Sequence, residues 1–214
     1  RNEPWYPGET ISVAIGQGAV AVTPIALATM IATVANGGRL VTPHLARAFD
    51  AGDGRGWHPV ERPRVRSELH INPRNLQAVR DGLWRVVNQG GTGRRAQIEG
   101  LDVAGKTGTA QANVSLQNRA LAASRGIDVR DHGWFVFFAP RDNPQIAGVV
   151  FAEHGQTSGA ATPIARHVIE TFFAKREGRP LPVLPGMAPS APPAPPPVEV
   201  TTGTVARNEG ERRP

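Results

Sequence analysis

VAGKTGTAQ, residues 103–111, is the stretch on which the fold turns. Of the 24 Lys and Arg residues in the chain, only Lys106 and Lys175 are lysine. Where a solvated positive charge suffices, this sequence uses arginine. Lys175 lies in FFAKREGR, the polar end of a predicted helix, and needs no further explanation. Lys106 stands between Gly105 and Gly108 with Thr107 beside it. An ammonium is a compact point charge that can exchange a proton, whereas a guanidinium is a permanently charged planar fork. A lysine kept at this position points to compactness or proton exchange.

Read as a strand, the stretch points Thr107 and Thr109 to one face and Lys106 to the other or to a rim. The glycines at 105 and 108 remove side chains, so another backbone can approach closely. A strand edge with free N–H groups, hydroxyls and one cation suits an extended peptide ending in a carboxylate. A glycine-softened strand near a turn is the plain structural alternative. GLDVAGKT, 100–107, also satisfies the bare phosphate-loop pattern GxxxxGK[ST]. That loop must run from a strand into a helix N-terminus. Here LDVA is strand-like and TGTAQ begins no helix, so a nucleotide site is not expected.

Around this stretch the periodicity changes several times. Residues 1–22 read as turn-rich. Thr23 and Pro24 read as an N-cap and first-turn proline for a helix over 23–36, closed by Gly37 and Gly38. Residues 39–72 read as loops with short strands. A second helix over 72–89 places Leu76, Val79, Leu83, Val86 and Val87 on one face and the arginines on the other, and GGTG at 90–93 ends it. HGWFVFFAPRDNPQIAGVVFAEHG predicts an antiparallel hairpin, 133–140 with 146–153, about the turn PRDNP. The strand at 105–110 is expected to lie antiparallel to the first hairpin strand. Ser158 or Thr162 caps a last helix, roughly 160–177, with Ile164, Val168, Ile169, Phe172 and Phe173 inward. The order predicts an α+β fold, an antiparallel sheet packed against helices, over residues 1–178. Residues 179–214, rich in proline, read as an extended tail without a core.

Composition removes several classes. A net charge of +6 is spread over scattered arginines without interleaved aromatic platforms, so nucleic-acid binding is not expected. Cysteine is absent, and the six histidines are separated, which leaves no metal-ligand spacing and no expected cofactor. No run approaches the roughly 18 continuous apolar residues of a membrane span. The chain opens RNEPWYPGET, so any targeting or anchoring segment is expected upstream of it. The serines are 12, 67, 115, 124, 158 and 190, and the residues three further on are Ile15, His70, Asn118, Ile127, Ala161 and Pro193. No serine is therefore paired with a lysine as S-x-x-K, and none heads S-x-N or S-x-D.

KTGTAQ resembles the third motif of the penicillin-binding protein transpeptidases, relatives of the serine β-lactamases. PWYPGETISVAIGQG, TPIALATMIATVANGG and VTPHL, in that order, resemble the region after the second motif in class B members, in detail those of the elongation type. The likeness runs over about residues 3–177 and implies the C-terminal half of a transpeptidase domain whose nucleophilic serine is not in this chain. It implies a D,D-transpeptidase that crosslinks peptidoglycan stem peptides ending in D-alanyl-D-alanine through an acyl-enzyme, with β-lactams as mimics. Lys106 then supplies a positive field at the substrate carboxylate and helps relay protons. Thr107 and Thr109 bind that carboxylate, Gly108 keeps the strand open, and the Thr109 N–H is one oxyanion donor. The resemblance further implies cell-elongation partners and the periplasmic face of the inner membrane, held by an upstream anchor. A non-catalytic β-lactam sensor on the same fold is the alternative.

Overall fold

The computed structural model describes residues 4–16, 20–60, 65–112 and 118–183. In chain order the elements are helices α1 (Pro7–Ala14) and α2 (Pro24–Ala35) and the short strands β1 (Arg39–Val41), β2 (Ala48–Asp50), β3 (Trp57–Pro59) and β4 (Val65–Glu68). Helix α3 (Pro73–Asn88), a 3-10 turn at Arg94–Ala96 and strand β5 (Ala104–Ala110) follow. Helix α4 (Arg119–Ser124), strands β6 (His132–Ala139) and β7 (Ile146–Ala152) and helix α5 (Ser158–Glu177) complete the order. The fold is α+β, as expected.

The principal sheet has the order β5-β6-β7, antiparallel throughout. Its register pairs Lys106 with Val136, Thr107 with Phe135 and Thr109 with Gly133. Among the described residues, β1 pairs with β4 and β2 with β3 in separate two-stranded antiparallel sheets.

Strand alternation gives the principal sheet two faces. Phe135 and Phe137 share theirs with Gly105, Thr107 and Thr109, and both are buried with Val87, Val103, Ala161, Ala165 and Ile169. Phe138 and Ala104 lie on the opposite face against Ile31 and Ala35 of α2. Each buried phenylalanine contributes roughly 1.5–3 kcal/mol relative to exposure. The three of them therefore fix the register in which Lys106 is presented.

Helix boundaries follow local chemistry. Thr23 Oγ1 accepts the Ala26 N–H at 3.3 Å ahead of Pro24, and Asn72 accepts the Arg74 N–H at 2.9 Å ahead of Pro73. Gly178, at φ 64°, ends α5. Four expectations need correction. The turn-rich N-terminus contains α1, because a proline after Tyr6 occupies the first helical position, where its fixed φ suits a helix as well as a turn. The cap of α5 is Thr157, whose hydroxyl accepts the Gly159 N–H at 3.1 Å, rather than Ser158 or Thr162.

On α5 the inward line is Ala161, Ala165, Ile169 and Phe173, while Ile164 and Val168 are exposed. The small alanines let the helix approach the sheet, which turns the bulkier residues away. On α3, Val79 is exposed, and half-buried Arg80 instead lies over the Phe138 ring, its guanidinium donating to the Arg141 carbonyl. The long aliphatic stem of arginine can line a core while its head finds a carbonyl. The proline-rich segment from 184 onward lies outside the described residues.

Candidate active site

Residues 104–110 form a strand through Lys106, not a loop entering a helix. That geometry removes the phosphate-loop reading. Its inner edge pairs with β6 from Ala104–Phe138 to Ala110–His132, and no strand covers its outer edge among the described residues. Lys106 is exposed and its Nζ donates to the Thr107 carbonyl at 2.8 Å, with Thr107 Oγ1 at 3.5 Å. A main-chain carbonyl engaged by a side chain in this way is one turned to the open edge. In an antiparallel ladder, residues two apart direct their N–H and C=O groups alike. The Thr109 N–H accordingly faces the same edge as the Thr107 carbonyl.

The four expected residues thus occur together as one strip. Lys106 and Gly108 occupy one face; Thr107 and Thr109 occupy the other. The strip combines a cation, two hydroxyls and an outward N–H within four residues, a set suited to an anionic extended ligand. Two cavities among the described residues lie elsewhere. One of about 790 Å³ sits between Leu101, Pro140 and the C-terminal turns of α5, and one of about 540 Å³ lies between α2, β1 and β4. The site is an open strand edge rather than a cavity.

The two glycines of the strip differ in what they do. A Cβ at Gly105 would lie 2.5 Å from Phe135 Cζ and 2.6 Å from the Val136 carbonyl oxygen, so the fold itself demands glycine there. A Cβ at Gly108 would meet only Trp134 Cβ, at 3.4 Å, an ordinary contact. The fold does not demand that glycine, and the methyl would stand on the Lys106 face. In the intact protein, Gly105→Ala is expected to cost about 1–3 kcal/mol of stability through overpacking. Gly108→Ala is expected to leave the unfolding midpoint unchanged, because its Cβ meets only an ordinary contact. Denaturant melts of the two variants check this, and equal midpoints would contradict the distinction.

The far end of the strand is clamped. Asp131 accepts the Ala112 N–H at 3.3 Å and pairs with the Arg119 guanidinium. Arg119 first, and the Ala112 N–H second, hold its carboxyl below the usual carboxylate range. The neighbouring histidines have hydrogen-bonding partners: His132 Nδ1 accepts the His154 N–H at 3.0 Å, and His154 Nδ1 lies 3.0 Å from the Arg130 carbonyl oxygen. Among the described residues, no group of three His, Cys, Asp or Glu side chains is placed to hold a metal ion. No helix among them is long and apolar enough to cross a membrane.

Sequence reading missed Thr92. In GGTG it passes for helix-stop composition, yet its hydroxyl lies 2.7 Å from that of Thr107. A threonine held between glycines that permit close approach was the signal available.

The model of the penicillin-binding protein transpeptidase domain matches residues 1–170. The peptidoglycan D,D-transpeptidase MrdA of Haemophilus influenzae is 37% identical over 181 residues, covering 82% of this chain and 27% of that protein. The chain therefore spans about a quarter of the length of that relative. The crystal structure of Pseudomonas aeruginosa PBP2 in complex with WCK 5153 superposes with a TM-score of 0.65 at 36% identity, covering 83% of this chain and 36% of that one. The PBP2 of a PBP2–MreC complex from Helicobacter pylori superposes with a TM-score of 0.58 at 25% identity, covering 82% and 29%. With KTGT on an open strand edge and a family match over most of its length, the chain belongs to the penicillin-binding protein transpeptidase domain family.

Proposed function

We propose that the chain is the carboxylate-binding and oxyanion side of a peptidoglycan D,D-transpeptidase whose serine nucleophile lies outside these 214 residues. The observation that carries this reading is the outer edge of β5, uncovered among the described residues, where Lys106 Nζ meets the Thr107 carbonyl. The absence of any S-x-x-K among the six serines supports the placement of the nucleophile elsewhere.

In this reading, a stem peptide ending in D-alanyl-D-alanine lies along the β5 edge. Its terminal carboxylate is neutralised by Lys106 and accepts hydrogen bonds from the Thr107 and Thr109 hydroxyls. The serine oxygen attacks the penultimate carbonyl and its proton passes to a base. The carbonyl oxygen becomes an oxyanion that accepts the Thr109 N–H, one donor of the kind worth about 2.7–4 kcal/mol in a transition state. The C–N bond then breaks, the departing D-alanine amine takes up the proton, and an acceptor amine resolves the ester into a crosslink. β-Lactams occupy the same strip and leave a stable ester.

The similarity to MrdA, and to a PBP2 solved with MreC, supports a place in cell elongation, at the periplasmic face of the inner membrane and with an anchor outside this chain. The intact protein, given a stem pentapeptide ending in D-alanyl-D-alanine, is expected to release D-alanine and form crosslinked product. Thr109→Val is expected to lower both about tenfold, the scale of one hydrogen bond to a charged group. Covalent capture of penicillin without any release of D-alanine would instead identify a sensor and overturn the reading.

A further inference from the structure

We propose that Thr92 is a positioning residue that orients the Thr107 hydroxyl toward the substrate carboxylate, an inference that rests on the reading of β5 given above.

Thr92 is presented by a turn with little freedom. The Gly93 N–H donates to the Val86 carbonyl at 3.0 Å and the Ala96 N–H to the Gly93 carbonyl at 2.8 Å. A Cβ on Gly91 would fall 2.5 Å from the Val86 carbonyl oxygen, and one on Gly93 would fall 3.1 Å from Val86 Cγ1 and 3.3 Å from Phe135 Cε2. The turn is thus seated directly on the last turn of α3 and on β6, with buried Val87 and Ala96 anchoring either side. Close backbone approach at Gly91 and Gly93 sets the height of Thr92 above the sheet. From there its Oγ1 reaches Thr107 Oγ1 at 2.7 Å.

The hydroxyl inventory of Thr107 then determines what it offers. A threonine oxygen accepts two hydrogen bonds and donates one. Lys106 Nζ stands 3.5 Å from Thr107 Oγ1, and Thr92 Oγ1 stands 2.7 Å from it. When Thr92 donates, both acceptor sites of Thr107 face donors, and its single proton is left for a third partner. An anion at the strand edge selects this arrangement, because each hydrogen bond in such a chain polarises the next. Without the Thr92 hydroxyl, Thr107 is free to rotate and to spend its proton elsewhere.

The test uses the intact protein and two probes, benzylpenicillin and its methyl ester, which differ in the carboxylate charge. Thr92→Val removes the hydroxyl at nearly constant shape. It is expected to reduce the ratio of acylation rate constants, acid over ester, about fivefold to tenfold, with the loss in the acid alone. Thr92→Ser restores the ratio. An equal loss for both probes identifies a merely structural role, and an unchanged ratio removes any role; either result overturns the proposal. Thr107→Val separates this failure from that of the underlying reading. If Thr107→Val loses the preference while Thr92→Val keeps it, only the positioning role is wrong. If Thr107→Val keeps the preference, Thr107 does not bind the carboxylate, and the site reading falls along with the proposal.

Discussion

In the intact protein, Lys106→Arg is expected to slow acylation by labelled penicillin about a hundredfold or more while leaving the fold in place. The side chain is exposed, so the larger head group costs little stability. The loss comes from geometry and proton exchange. The ammonium sits 2.8 Å from the Thr107 carbonyl oxygen and 3.5 Å from its hydroxyl, a compact station directly beside the strand. A guanidinium keeps the charge but is wider, planar and effectively never deprotonated. It displaces the anion from the Thr107 and Thr109 hydroxyls and cannot relay a proton. Preorganised electrostatic groups at a reacting centre contribute about a hundredfold to a thousandfold each. Stopped-flow acylation kinetics check this result. Wild-type rates in the variant would mean that charge alone suffices at 106, and that a lysine in an arginine-rich chain carries no functional meaning there.

The strand carrying this lysine was legible because two independent signals agreed. Its glycines and alternating threonines fit a strand edge, and the adjacent aromatic hairpin supplied a partner of the right length. Phe135, Phe137 and Phe138 then set the register through burial. Helix α2 was equally clear, because Thr23 and Pro24 gave a start and two glycines a stop. What remained illegible depended on approach distance. Ile164 and Val168 had the spacing of a buried face, yet Ala161 and Ala165 win the interface because their small side chains bring α5 closest to the sheet. Arg80 replaces Val79 at the α3 interface because a carbonyl at Arg141, 61 residues away, stands where its guanidinium can donate. Thr92 was hidden for the same reason: its partner is 15 residues distant and meets it only through folding.

The isolated 214-residue chain is expected to take no covalent label from fluorescent penicillin and to aggregate. Its apolar surface is extensive for a self-sufficient domain: Ile25 is 57% and Met30 is 47% exposed beside the 540 Å³ cavity of α2. Among the described residues, the outer edges of both β5 and β7 are unpaired. Open edges and apolar patches of this kind promote association. Absence of label follows from chemistry rather than from instability. Lys106 belongs to the carboxylate side of the site, and no serine in the chain has a lysine three residues on to activate it. Recovery of the chain as a stable monomer that binds label covalently would contradict both parts.

In the proposed reading these residues hold the substrate while another part of the protein attacks it. The most direct measurement is peptide mapping of the intact protein after reaction with penicillin. The penicilloyl adduct is predicted on a serine outside the 214 residues, one followed three positions later by lysine. An adduct on Ser12, Ser67, Ser115, Ser124, Ser158 or Ser190 would contradict the account.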